Sequence, residues 1–512
     1  MNHLPVLAIL VPLVGGALSL FVEQQRYGIV LQRAVAWAST LATLAVALLL
    51  LGQVNDQGLL VYLLGDWPSR LGIVLMADRL SALMVLTTAV LGSACLLHAC
   101  SGWDRRAPHF HALFQFQLVG LNGAFLTGDV FNLFVFFEVM LIASYGLLLS
   151  GGRGVRMRAG LHYVSFNVAA STLFLIALGL VYGVFGTLNM AELSARIAAL
   201  PAQDLPLAKA TLGLLLVVFC AKAALLPMYL WLPDTYARAP AAVAALFVIM
   251  TKVGLYASLR VGQLLLGEPA GALAGYGQDW LLAGAAGTLA LGALGVLAAS
   301  RLRALSAYLV VVSAATLFIA FGLGVPAMLA AGLFYLVHST FVVAALFMIA
   351  DLVRRGRGDE KRDLAHPVTS PEVRRLAGLM FLFAAISVAG LPPLSGFIAK
   401  LAMLQAVPAA QVGWVWTLVL VTSLMVIVGL VRAGSNLFWR TPPQEAAAAP
   451  GRTAGSRPVE TAATVLLLAL GVAMTVGAAP VMGYMQGTAA QLMAPADYVN
   501  QVQSTLPAKR KP

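Results

Sequence analysis

The sequence predicts an all-α polytopic membrane protein of about fourteen transmembrane helices. Three observations carry this. Of 512 residues, 61% are hydrophobic, only 10% are charged, and long apolar runs alternate with short basic gaps. A soluble domain carries roughly 25% charged residues. A chain so poor in charge, with a mean hydropathy of +0.90, cannot cover a water-facing surface. Lipid is its solvent. A helical bundle of this length can form one domain.

The formal net charge of +12 raises the question of nucleic acid. The positive residues sit in the gaps between apolar runs, as membrane orientation requires, and no basic stripe is interleaved with aromatics. Nucleic acid is therefore not expected as a partner. Cys95, Cys100 and Cys220 lie in apolar runs without metal-ligand spacing and read as small core residues. The first apolar run, Leu4 to Val22, lacks a basic leader region and an A-x-A cleavage pattern. It is expected to remain as a helix.

A spanning helix needs about 20 apolar residues. On that rule the spans fall at 4–22, 34–52, 72–100, 110–128, 129–150, 161–185, 209–231, 240–262, 279–299, 304–323, 326–350, 376–404, 412–434 and 460–484. The third and twelfth are long enough to be tilted or broken. The odd-numbered loops are basic. Arg26 and Arg33 follow the first span, Arg105 and Arg106 the third, Arg153, Arg156 and Arg158 the fifth, Arg238 the seventh, and Arg301 and Arg303 the ninth. A dense cluster follows the eleventh, with Arg354, Arg355, Arg357, Lys361, Arg362, Arg374 and Arg375, and Arg440, Arg452 and Arg457 follow the thirteenth. The even-numbered loops are poor in Lys and Arg. This alternation places both termini on the outer side of the membrane. Arg260, at the end of the eighth span, and the basic tail Lys509, Arg510 and Lys511 run against it. The stretch from Gln444 to Pro458 reads as a flexible linker before a detachable last helix.

Charges inside the apolar runs point to function. Lys222, Lys252 and Lys400 fall within spans, and Glu138 is the one acid near the middle of one. Each such lysine costs about 2.5–3.5 kcal/mol at a helix centre. Burial disfavours the charged form of any ionisable group, so amines near a carboxylate in hydrocarbon can trade protons. The competing reading is a static ion pair or a lysine snorkelling to the headgroups. Asp129, Asp234, Asp279 and Asp351 fall at span ends, where charge costs little. Asp78 and Arg79 read as close to the interface, and so do His98, His109, His111 and His162.

Helix breakers accompany two of the lysines. The seventh span reads A-K-A-A-L-L-P-M-Y-L-W-L-P-D-T around Lys222, and the twelfth reads A-G-L-P-P-L-S-G-F-I-A-K up to Lys400. Broken backbone at membrane depth survives only inside protein or beside a wet cavity. Two interrupted spans, five helices apart, suggest repeated halves with a site in each. His338, in F-Y-L-V-H-S-T-F, lies between them and could pass a proton as neutral imidazole, or serve as an ordinary hydrogen-bonded core residue. The sequence holds no P-loop, dinucleotide fingerprint, H-E-x-x-H, haem motif or cysteine cluster. No cofactor is expected.

These motifs resemble a known superfamily. The run T-G-D-V-F-N-L-F-V-F-F-E-V-M-L-I-A-S-Y-G-L-L from Thr127 looks like the fifth helix of the antiporter-like membrane subunits shared by respiratory complex I and the Mrp-type Na⁺/H⁺ antiporters. The stretch from Lys222 to Pro240, I-M-T-K-V-G-L-Y around Lys252, and A-G-L-P-P-L-S-G-F-I-A-K resemble its seventh, eighth and twelfth helices. Within it, F-N-L-F-V-F-F-E, H-S-T-F-V-V-A-A-L-F-M-I-A-D-L and R-A-G-S-N-L-F-W look most like the D-type branch of the Mrp antiporters. The resemblance implies two inverted five-helix repeats containing broken helices. The organisation would be residues 1–109 for helices one to three, 110–262 for the first repeat, 279–438 for the second, 439–459 for a cytoplasmic linker, 460–484 for the last helix and 485–512 for a polar tail. It also implies a Glu138–Lys222 pair, links at Lys252 and His338, and Lys400 as the terminal proton site. The implied activity is monovalent cation (Na⁺ or K⁺)/H⁺ exchange beside a large A-type subunit and small membrane subunits. The alternative is proton pumping in a complex I-like quinone oxidoreductase or membrane-bound hydrogenase. Complex I relatives carry a lysine four residues after the histidine of helix eleven and another five residues before the tyrosine of helix ten. Val342 and Arg303 stand at those positions here.

Overall fold

A computed structural model of the chain describes residues 3–152, 154–357, 364, 366–440 and 458–507. Arg153, Lys361, Arg362, Arg452, Arg457, most of the expected linker and the tail from Lys509 to Lys511 lie outside the described residues.

Apolar runs become helices because only a helix satisfies its own backbone in lipid. In chain order they are α1 (Leu4–Gln24), α2 (Ile29–Gln57), α3 (Arg79–Ala99), α4 (Phe110–Leu126), α5 (Val130–Leu149), α6 (Val155–Phe185), the short α7 (Met190–Ala198), α8 (Leu205–Lys222), α9 (Trp231–Arg238), α10 (Ala241–Leu266), α11 (Gln278–Ala298), α12 (Leu302–Gly322), α13 (Pro326–Arg357), α14 (Pro371–Ala389), α15 (Ser395–Gln405), α16 (Val412–Gly434), α17 (Pro458–Val476), α18 (Ala478–Leu492) and α19 (Pro495–Ser504). Among the described residues, twelve helices are long and apolar enough to cross a membrane. The fourteen expected spans include two more. One is α4, only 17 residues long, and the other is divided between α14 and α15.

The expected third span, 72–100, is shorter than its apolar run. Strand β1 (Leu60–Leu63) pairs antiparallel with β2 (Val74–Ala77), Leu60 opposite Ala77. Helix α3 begins only after Asp78. There the Asp78 carboxylate accepts from the Ser81 backbone N–H while the Ser81 hydroxyl accepts from the Asp78 N–H, both at 2.8 Å. This reciprocal cap satisfies two otherwise orphaned donors and sets the helix start.

The two expected breaks are present. α8 stops at Lys222 and the chain resumes helix at Trp231; α14 stops at Ala389 and α15 begins at Ser395. Pro227, Pro392 and Pro393 bring no backbone N–H to continue a ladder, and Gly390 takes φ +78 at the end of α14, a left-handed cap that suits glycine.

α10 and α13 form the centre. The apolar windows of both are wholly buried. α10 packs on α3, α8, α12 and α13, and α13 packs on α12, α14, α15, α17 and α18. Around them, α2, α6, α11 and α16 turn apolar side chains outward, among them Leu48, Leu161, Ile176, Leu294 and Leu424. Such a surface suits lipid, and the two helices shielded from it carry Lys252 and His338.

The C-terminal end differs from the expected detachable helix and polar tail. α17 packs on α3 and α13, with Glu460 fully buried and paired to Arg355 at 2.5 Å. The last expected span divides at Gly477 into α17 and α18. Tyr484 of α18 donates to the Arg79 carbonyl at 2.8 Å. α19 buries Tyr498 and Val502, which share a helix face at i, i+4 spacing. That apolar stripe explains why this part of the tail folds back.

Candidate functional site

Lys222 lies in the last turn of α8, a position where the helix dipole favours a cation. It is only 5% exposed. Its Nζ donates to the Ser171 hydroxyl at 2.9 Å and approaches the Asn167 carbonyl at 3.5 Å. Ser171 in turn donates to the Glu138 carboxylate. The implied Glu138–Lys222 pair is thus joined through Ser171 of α6. α10 presses against this helix end. A Cβ on Gly254 would stand 2.6 Å from the Ala223 nitrogen and 2.8 Å from the Lys222 carbonyl carbon, so the I-M-T-K-V-G run needs its glycine for close approach. The broken backbone beyond Lys222 finds partners. Trp231 Nε1 donates to the Ala221 carbonyl at 3.2 Å, and the Leu226 N–H to Thr288 at 2.7 Å.

Lys252, on α10, is fully buried and donates to the Ser313 hydroxyl of α12 at 2.7 Å. His338, on α13, is 1% exposed, and its Nδ1 shares a hydrogen bond of 2.9 Å with Ser395 at the start of α15. Gly396 follows. A Cβ there would meet the Ser387 carbonyl and lie 2.9 Å from His338 Nε2. Lys400, partly buried, donates to the carbonyls of Val388 and Ala389 at 3.3 and 3.0 Å and to Ser423 at 3.1 Å. It thereby caps the end of α14. Among the described residues, no lysine of this set pairs directly with a carboxylate.

A small cavity of about 20 Å³ connects the second half of the site. Its lining includes Ser313, Thr316, His338, Ser339, Lys400 and Ser423. By that measure it has room for about one water, which needs some 10–15 Å³ and polar partners. The structure therefore brings Glu138 and Lys222 together through one hydroxyl, and His338 and Lys400 together around one polar void. The Ser313 hydroxyl that receives Lys252 lines the same void.

Three comparisons bear on these residues. The model of the NADH:quinone oxidoreductase/Mrp antiporter transmembrane family matches residues 127–426, a stretch that holds all five. The chain is 41% identical over 537 aligned positions to a Rhizobium meliloti (strain 1021) protein named as a probable D-type K⁺/H⁺ antiporter subunit, with 98% of each chain covered. It belongs to the NADH:quinone oxidoreductase/Mrp antiporter family. It is also 34% identical to the D-type Na⁺/H⁺ antiporter subunit of Bacillus subtilis (strain 168), covering 98% of this chain and 99% of that one. Its fold matches a chain in the structure of the Mrp complex from Dietzia sp. DQ12-45-1b with a TM-score of 0.86, at 27% identity, covering 98% of this chain and all of that one.

In this member of the family, Arg303 stands where complex I relatives usually carry a lysine. It bonds Asp351 at 2.9 Å and the Ala239 carbonyl at 3.2 Å, and guanidinium keeps its charge. Several charged groups are more buried than their places in the sequence indicate. Asp78, expected near the interface, is 2% exposed and bound by both terminal nitrogens of Arg260. That pairing accounts for an arginine in an apolar helix end. His98 and His111, also expected at the interface, are buried, and so is Asp351. Asp104 binds Arg33 at 2.6 Å and lies 3.4 Å from His111. Burial opposes its charge, but the close approach of His111 and the paired hydrogen bonds from Arg33 hold its carboxyl down at about 2.

His98, Asp351 and Glu460 bring ligand atoms within 4.8 Å of one another, yet they do not suit a cation. Arg303, Arg354 and Arg355 already bond the two carboxylates, and three guanidiniums outweigh them.

Proposed function

We propose that this chain is the D-type membrane subunit of a multisubunit monovalent cation (Na⁺ or K⁺)/H⁺ antiporter in a bacterial plasma membrane, with both termini on the outer side. It works beside a large A-type subunit and small membrane subunits, and it provides the proton path. The named relatives, both D-type antiporter subunits, support that assignment over redox-driven pumping, which the family description also covers.

One observation carries the path: the buried lysines rest on serine hydroxyls instead of carboxylates. A hydroxyl can accept one hydrogen bond while donating another. When Lys222 passes a proton to Ser171 Oγ, Ser171 releases its own to Glu138. A neutral amine and a neutral acid remain, and no charge is created in hydrocarbon. The same shuttle run in reverse reloads Lys222 from Glu138. Beyond it, Lys252 contacts Ser313, whose hydroxyl borders the polar void shared by His338 and Lys400, and in this reading the proton passes from Lys222 by way of Lys252 and His338 to Lys400. Lys400 at the end of that route exchanges it with the other side.

The test is cation/proton exchange in everted vesicles carrying the whole complex. Glu138→Ala and Lys222→Ala should each abolish exchange with the complex still assembled. Unchanged exchange in either would overturn the path. Proton pumping that depends on a quinone and is indifferent to Na⁺ and K⁺ would overturn the antiporter assignment in favour of the redox-driven one.

A further inference from the structure

A cleft of about 430 Å³ opens between the last turn of α3, the start of α6, the end of α9, the start of α12 and the end of α13. Seven arginines and a single carboxylate, that of Asp351, are among the described residues lining it. Arg106 and Arg301 are exposed at its edge. Deeper in, Arg156 lies 5.2 Å over the Trp103 ring. Asp351 is shared among Arg303, Arg354 and Arg355, Glu460 also holds Arg355, and Asp234 holds Arg238, which leaves three carboxylates against seven guanidiniums. The wall keeps an excess of positive charge.

The floor adds a second, independent feature. His98 is 3% exposed and lines the cleft, and neither of its ring nitrogens has a hydrogen-bond partner. In either neutral tautomer one of them carries a hydrogen. The Asp351 and Glu460 oxygens come within 4.8 Å of the ring but make no hydrogen bond to it. A buried donor left unmade is costly, and an anion's oxygen in the cleft, held by the surrounding guanidiniums, would receive it. Planar guanidiniums match phosphate with paired hydrogen bonds. The cleft lies at helix ends, the level of lipid headgroups, where basic pockets between transmembrane helices collect anionic lipids.

We propose that this cleft binds a phosphate group, carried by an anionic phospholipid or present as the free ion. It is separate from the Glu138–Lys400 route and does not depend on its role.

The test uses the purified intact complex, stripped of lipid in neutral detergent. Its melting temperature is followed against phosphatidylglycerol, phosphatidylcholine and sodium phosphate at constant ionic strength. The variants are Arg106→Gln with Arg301→Gln, and Arg26→Gln with Arg440→Gln, two exposed arginines outside the cleft lining, as a charge-matched control. Phosphatidylglycerol should raise the melting temperature saturably. Half-saturation should move up roughly tenfold or more in the double variant, as loss of two guanidiniums near a headgroup predicts, and should not move in the control. A shift with sodium phosphate that is lost in the double variant identifies the free ion as the source and also upholds the site. No shift with either, an equal response to phosphatidylcholine, or the same response in wild type and double variant would overturn it.

Discussion

Lys222 donates to the hydroxyl of Ser171 across 2.9 Å, and it is that hydroxyl, not the ammonium, that meets the carboxylate of Glu138. A serine between acid and amine makes the contact separable. Ser171→Ala removes the bridge and leaves both charges in place. We expect exchange in everted vesicles to fall roughly 100-fold, the lower end of what a positioned proton-transfer group contributes. Ser171→Thr, which keeps the hydroxyl, should retain most of the rate. Wild-type exchange in Ser171→Ala would show that the bridge is only a packing contact.

Gly254 is the packing counterpart of that site. Its missing side chain lets α10 touch the end of α8, where a Cβ would fall 2.6 Å from a backbone nitrogen. Backbone cannot swing aside as a side chain can. Gly254→Ala should therefore destabilise the complex by about 1–3 kcal/mol, the usual cost of overpacking, and displace Lys222. Gly179, on α6, has nothing within 4 Å of its would-be Cβ. Gly179→Ala should be neutral or stabilise by up to about 1 kcal/mol. Melting of the two purified variants side by side checks the contrast.

Asp78 and Arg260 make a buried pair about two turns of α10 beyond Lys252. Removing one partner strands the other charge and should cost about 3–5 kcal/mol. Asp78→Asn or Arg260→Leu should show this loss, and joint apolar replacement should recover much of it. Burial opposes ionisation of Asp78, but the charge and hydrogen bonds of Arg260, with those of Ser81, hold its carboxyl below the usual 3.8. A carboxyl depressed by folding stabilises above its unfolded value. That contribution fades as pH falls below about 3.8 and toward the folded value. The gap in melting temperature between wild type and Asp78→Asn should be constant from neutral pH down to that point and narrow below it.

The lysines were legible because a charge inside an apolar run stands out in one dimension. Their partners were not. Serine disturbs no hydropathy pattern, and Ser171 and Ser313 reach Lys222 and Lys252 from helices 51 and 61 residues away in the chain. Asp78 and Arg260 are 182 residues apart, so each alone reads as an interfacial charge. Residues 74–77 look like the start of the helix that follows because a short buried strand and a buried helix turn are equally apolar. Asp78 three residues before Ser81 carries a cap signal that marks the true start. Both helix breaks were visible, since proline and glycine act locally. The folded tail was not, because its stripe is only Tyr498 and Val502 on a polar ten-residue helix.

Lys400 offers the test that separates charge from proton exchange. Its ammonium donates to two carbonyls at the end of α14 and to Ser423, so neutral replacement would both unfasten that helix end and remove a titrating group. Lys400→Arg keeps a donor and a permanent positive charge but cannot release a proton. If Lys400 only caps α14, the arginine variant should assemble and exchange normally. If it is the terminal proton carrier, the variant should assemble at wild-type levels and lose exchange by more than tenfold at every pH, since no accessible pH deprotonates arginine. Assembly measured by copurification, set beside exchange across a pH series, decides between the two.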